Sequence, residues 1–221
     1  MPAPRRSLIS AARAATFLEP LVAMVPDPRC ELDWRTPFEL LIATQLSAQS
    51  TDAMVNKVTP ELFRCWPDAA ALAEADPAEV EAVLRPTGFF RQKTRHAIET
   101  ARILVAEHGG EVPPRMEDLV KLPGTARKTA SVVLGTAFGL AEGIPVDTHV
   151  FRVTRRWGWQ RERTPEKVEP ILLKVLPQAR WPELGHRLVL FGRYHCTARA
   201  PKCEACGLAD LCAAKLGKVE L

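Results

Sequence analysis

The chain reads as all-α. Apolar residues recur at helical spacing in one segment after another, Thr or Asp followed by Pro marks several segment starts while Gly marks several ends, and few stretches alternate as strands do. Short connections between many helices imply packed helical layers.

Taken in order, FELLIATQLSAQ at 38–49 carries a long apolar face, with Thr36-Pro37 as a cap and a first-turn proline before it. A second helix is expected over 50–63. Trp66-Pro67-Asp68 breaks the pattern, 69–73 is short, and Asp76-Pro77 opens a helix with Val80, Val83 and Leu84 apolar. Thr87-Gly88-Phe89-Phe90 is a turn, and a helix over 91–108 stops at Gly109-Gly110. After a short piece at 116–121, residues 127–138 place Ala130, Val133, Leu134, Ala137 and Phe138 at i, i+3, i+4, i+7 and i+8, with Gly139 at the end. Asp147 caps the helix that contains VFRVTRRWGW. Two more stretches, 166–175 (interrupted by Pro170) and 182–194, complete the set.

The bulk numbers bound the function. The chain has 221 residues, enough for one large or two small domains, and 47% apolar content argues against wholesale disorder. A net charge of +4 is compatible with a nucleic-acid partner. No apolar run approaches the roughly 20 residues of a membrane span, so no membrane partner is expected. The N-terminal MPAPRRSLISAARAA has arginines but no strong apolar stretch for a secretory signal. The expectation is a cytoplasmic monomer.

Six cysteines are present, and four cluster near the C-terminus in CTARAPKCEACGLADLC, a C-x6-C-x2-C-x5-C spacing. Such a set reads as Cys196, Cys203, Cys206 and Cys212 around one metal centre, either zinc or a [4Fe-4S] cluster; the count does not separate them. A loop this short would take its rigidity from the metal. Arg187, Arg193, Arg199 and Lys202 surround it, which fits a phosphate-facing surface or a plain solvated one.

LPGTARKTA at 122–130 poses a separate problem. Pro123 and Gly124 turn the chain into a helix that opens with Arg127 and Lys128, although a helix N-terminus favours anions. A DNA phosphate accepting from the free N–H groups would relieve both cations.

The motifs LIATQLSAQSTD, LPGTARKTASVVLGTAFG, VDTHVFRV and GRYHC with its downstream cysteines, in this order, resemble the endonuclease III family of DNA base-excision glycosylases over about residues 38–212. The resemblance implies a two-lobed helix-hairpin-helix glycosylase fold. Residues 30–141 would form a helical barrel with the hairpin. Residues 1–29 and 142–221 would form a discontinuous lobe with a [4Fe-4S] cluster on the four cysteines. The implied partner is double-stranded DNA with damaged bases or abasic sites, in the nucleoid if the source is bacterial.

The resemblance puts the catalytic lysine on Lys128 and the catalytic aspartate on Asp147. It puts a gap-filling side chain on Gln49 and a wedge on Phe89, with Phe90 as its core-directed neighbour. Gly124, Ala126 and Arg127 would meet DNA at the hairpin, and Arg193, Arg199 and Lys202 would add contacts. The implied activity is a bifunctional glycosylase and abasic-site lyase removing oxidised or reduced pyrimidines. The nucleotide is flipped out, the lysine amine attacks C1′, and the Schiff base undergoes β-elimination. The amine must be neutral to attack, whereas an unperturbed lysine has a pKa near 10.4; burial, the helix N-terminus and Arg127 are expected to favour neutrality. Alternatives are a monofunctional glycosylase for mismatched or alkylated bases and a low-activity, cluster-containing DNA-binding paralogue. The family hairpin reads Leu-Pro-Gly-Val-Gly, and here Ala126 replaces the second glycine. A positive φ at that position would strain alanine by roughly 1 kcal/mol.

Overall fold

The computed structural model describes residues 9–218; the first eight residues of the arginine-bearing N-terminal stretch lie outside it. Among the described residues there is no strand. The helices are α1 (Ala11–Ala15), α2 (Leu18–Met24), α3 (Pro37–Leu46), α4 (Asp52–Cys65), α5 (Ala69–Ala73), α6 (Pro77–Leu84), α7 (Phe90–His108), α8 (Met116–Leu119), α9 (Arg127–Ala137), α10 (Thr148–Arg156), α11 (Glu169–Val175) and α12 (Trp181–Tyr194). The first two were not anticipated. They are only 5 and 7 residues long, too short for a repeating apolar pattern.

The chain divides into two compact units, one spanning Cys30–Glu142 and one joining Met1–Arg29 to Gly143–Leu221. In the first, α3 is the central element. Every residue from Phe38 to Leu46 is buried, as expected of a helix surrounded by others. Its start follows from local chemistry. Pro37 occupies the first turn, Thr36 Oγ1 accepts from Glu39 N at 3.2 Å, and Glu39 reaches back to accept from Arg35 N at 2.7 Å. The buried Glu39 carboxylate is paired by the Arg35 guanidinium at 2.6 Å. The rest of this core comes from α4 to α9, with Leu62, Leu72, Leu84, Leu104 and Leu134 fully buried. The long helix α7 stops where Gly109 turns left-handed and Gly110 N donates to Leu104 O at 2.8 Å.

The second unit has an aromatic core. Phe17 packs on Trp157 and Trp159 with ring centroids 5.1 and 5.2 Å apart, and Trp157 packs on Phe191 at 5.5 Å. Helices α10 and α12 approach closely because Gly192 lacks a side chain: a Cβ there would lie 2.8 Å from His149 Cβ.

Candidate active site

The hairpin lies between α8 and α9. Thr125 N donates to Leu122 O at 3.0 Å to close the turn, and Gly124 sits at φ +71°. A Cβ on Gly124 would fall 2.6 Å from His96 Nδ1, so both the backbone angle and the space require glycine. The turn is held from below by Gln45 on α3. Its buried amide nitrogen lies 3.0 Å from Pro123 O, 2.9 Å from Thr125 Oγ1 and 3.0 Å from Thr100 Oγ1. Sequence reasoning missed Gln45. The available signal was a glutamine within an otherwise apolar helix, which must find buried partners.

Gly124→Ala is expected to destabilise the chain by about 1–2 kcal/mol through the left-handed backbone, and to lower Tm by roughly 2–8 °C. Adding His96→Ala removes the contact but not the angle, so a thermal melt of the double variant is expected to recover only part of the loss.

Ala126 has extended backbone, φ −76° and ψ 166°, and serves as the α9 N-cap residue. The strain expected of a positive φ there does not arise. The α9 N-terminus has no side-chain cap and no acidic residue in its first turn. Arg127 and Lys128 are both exposed, and Arg127 Nη2 donates to Glu142 O at 3.1 Å. A helix N-terminus without a side-chain cap and two exposed cations therefore lie together, an anion-seeking arrangement. The burial expected around Lys128 is not present: its side chain is exposed.

Gln49 and Phe89 share an unusual property. Among the described residues they are the non-glycine positions with positive φ, 57° and 48°. Gln49 is exposed because α3 ends at Leu46 rather than continuing through 49. Phe89 is 69% exposed, an uncommon state for so large an apolar ring, while Phe90 packs against the core beside it. Non-glycine residues in this region cost about 1–2 kcal/mol each, and such outliers concentrate at functional sites.

In the other unit, Asp147 caps α10. Its Oδ1 accepts from Val150 N at 2.8 Å, and the side chain remains half-buried. Arg199 and Lys202 are exposed and Arg193 is partly so, whereas Arg187 is buried. Arg187 donates to Val25 O and to Glu183 at 3.3 Å, so it does not belong to the basic surface expected of it.

The cysteine segment requires a correction. Cys196, Cys203, Cys206 and Cys212 line one cavity with Arg156 and His195. Yet among the described residues no three His, Cys, Asp or Glu side chains are gathered so as to hold a metal ion, and the four cysteines stand as free thiols. The [4Fe-4S] ligation implied by the family resemblance is therefore not what the structure supports. Spacing brings ligand types into one loop but does not by itself gather them into a metal-holding group. Here Arg156 takes part of their bonding: its Nη1 lies 3.3 Å from Cys196 Sγ, and Cys212 Sγ donates to Arg156 O at 3.4 Å. Burial, with the neighbouring cysteines adding to it, pushes the Cys206 thiol up.

The rigidity expected from a metal comes from two arginines of α10. Arg152 donates to Gly192 O at 2.6 Å and to Cys196 O at 3.0 Å. Arg156 donates to Thr197 O at 2.7 Å and to Ala198 O at 3.0 Å. Carbonyls at the end of α12 and in the following loop are thereby satisfied by guanidinium groups.

These features have counterparts in known proteins. The family model described as "HhH-GPD superfamily base excision DNA repair protein" matches residues 42–178. One described as "Iron-sulfur binding domain of endonuclease III" matches 196–212, the segment whose thiols do not form a metal-holding group here. The chain is 48% identical over 200 residues to endonuclease III of Synechocystis sp., covering 90% of this chain and 91% of that protein. It is 46% identical over 187 residues to endonuclease III of Escherichia coli K12, covering 85% and 88%. A solved structure of a trapped endonuclease III–DNA covalent intermediate, an estranged-adenine complex, is similar at TM-score 0.89 and 41% identity, covering 95% of this chain and 99% of that one. With matches of this extent in both sequence and fold, the chain belongs to the endonuclease III family of helix-hairpin-helix base-excision DNA glycosylases.

Proposed function

We infer that this chain is a bifunctional DNA glycosylase and abasic-site lyase that acts on damaged pyrimidines in duplex DNA, in the cytoplasm and, if its source is bacterial, at the nucleoid. The observation that carries this is an exposed amine, Lys128, on the uncapped first turn of the helix that follows a glycine-constrained hairpin. Similarity to a trapped covalent endonuclease III–DNA intermediate adds support, since trapping needs such a nucleophile.

Each group has a part. The unit Cys30–Glu142 acts as the barrel lobe and supplies the hairpin. N–H groups at the α9 start, with Gly124, Ala126 and Arg127, receive a backbone phosphate, and Arg193, Arg199 and Lys202 add charge for other phosphates. Phe89 inserts between bases and Gln49 fills the gap left by the flipped nucleotide, meeting the orphan base with its amide. The Lys128 Nζ lone pair forms a bond to C1′ as the glycosidic bond breaks and its electron pair leaves with the base. The amine loses a proton and the sugar ring opens to give a Schiff base. Loss of the C2′ proton then expels the 3′ phosphate by β-elimination. Asp147 stabilises positive charge developing on the sugar and assists proton transfer.

Borohydride trapping on duplexes containing thymine glycol or an abasic site tests this. Covalent complexes on both are expected. Trapping on the abasic duplex alone would retain the lyase and remove the lesion assignment. No trapping on either duplex, with binding intact, would overturn the function.

A further inference from the structure

The loops that carry Gln49 and Phe89 are tied together by a buried cation. Lys93, on the first turn of α7, is 7% exposed. Its Nζ lies 2.7 Å from Ser50 Oγ and 2.9 Å from the Thr87 carbonyl oxygen. Ser50 Oγ donates to the same carbonyl, so the three groups close a triangle. Ser50 immediately follows Gln49. The Thr87 carbonyl is separated from Phe89 only by Gly88, itself at φ +67°. Thr87 is buried and anchored by its own Oγ1 donating to Leu84 O at 2.8 Å.

Burying a lysine against neutral oxygens is an expensive way to fill space. Among the described residues no carboxylate pairs with it, and an unbranched apolar side chain would occupy the same channel without that penalty. Burial pushes the Lys93 ammonium below the usual lysine range, which records that cost. What the ammonium provides and an apolar chain does not is a set of donors that binds two separate loops at once. Both loops contain a residue held at a backbone angle that a mobile loop would relax. A tie beside each of them accounts for the persistence of both outliers.

We propose that Lys93 is a positioning residue for duplex opening, fixing the spacing of the 47–50 and 87–89 loops so that Gln49 and Phe89 enter DNA as one rigid pair. This rests on the glycosylase–lyase function above. Lys93 touches no DNA in this role. It acts through the two loops, and its removal loosens the inserted pair while leaving the hairpin and Lys128 in place. A misplacement of about 1 Å in a positioning element lowers turnover by as much as about 10²-fold without a matching loss of binding.

The test uses the full chain and a duplex with 2-aminopurine opposite a tetrahydrofuran abasic analogue, whose fluorescence rises when the orphan base unstacks. At saturating protein, Lys93→Met is expected to lose about four-fifths of the wild-type rise. On a natural abasic duplex its kcat is expected to fall about 10- to 100-fold while KM stays within about 3-fold. Ser50→Ala keeps the buried lysine and removes one anchor, so it is expected to lose part of the fluorescence rise and of kcat at an unchanged melting temperature. If Lys93→Met fails to fold, Ser50→Ala decides. Wild-type fluorescence and kcat in both variants would overturn the proposal. So would a loss in Lys93→Met that merely follows its melting temperature while Ser50→Ala behaves as wild type. If the wild-type chain cleaves no abasic duplex, the glycosylase–lyase function falls first and this inference with it.

Discussion

Lys128→Ala is expected to abolish borohydride trapping and to lower the lyase rate by at least about 10³-fold, the scale on which loss of a covalent nucleophile acts. Duplex binding should weaken only a few-fold, since one of several cations is lost. Stability should barely change. Lys128 is exposed on the first turn of α9, and alanine is a strong helix former. The plain alternative for this lysine is a phosphate contact at an electropositive helix end, and Lys128→Arg separates the two. A guanidinium keeps the positive charge and the phosphate contact but is not a nucleophile at any pH the protein tolerates. Trapping is therefore expected to vanish in Lys128→Arg while affinity stays near wild type. Wild-type turnover in Lys128→Arg would show that the residue serves only to hold phosphate, and the bifunctional mechanism would not survive it.

The two cations at the start of α9 illustrate how far local sequence carries. Thr36-Pro37, Asp76-Pro77 and Asp147 mark helix starts because a cap and a first-turn proline act within a few residues, and the structure places α3, α6 and α10 accordingly. The Pro-Gly turn is legible for the same reason. What escaped the sequence depends on partners far along the chain. Gln45 reaches Thr125 across 80 positions, and Arg152 reaches Cys196 across 44. A polar residue in a buried helix shows that a partner is needed, but in neither case does the local sequence name it. The left-handed angle at Gln49 was hidden because the apolar pattern of α3 runs on into LSAQ, and a period alone does not say where a helix stops. Ala126 shows the converse: a glycine position in a family motif does not by itself establish a positive φ, and here the backbone is extended. The cysteines make the same point for chemistry. Their spacing names the donors, but among the described residues they form no metal-holding group, and Cys196 Sγ meets the Arg156 guanidinium instead.

Asp147 offers the second large effect, because its two possible duties separate by substitution. The carboxylate caps α10 through Val150 N at 2.8 Å, a structural task that any good cap residue performs. Asparagine retains a side-chain oxygen in that place and ranks with aspartate as a cap. Asp147→Asn is therefore expected to leave Tm within about 2 °C of wild type. It removes the negative charge, however, and with it both stabilisation of a cationic sugar and proton transfer. Turnover on a damaged-base duplex is expected to fall about 10²- to 10⁴-fold. Asp147→Ala loses both duties. It should show the same catalytic defect and, in addition, about 1 kcal/mol of destabilisation from the lost cap, seen as a Tm lower by roughly 2–4 °C. Melting curves and single-turnover rates on the three proteins check this directly. If Asp147→Asn turns over like wild type while Asp147→Ala does not, the residue is a helix cap and nothing more, and the charge on the sugar must be met by another group.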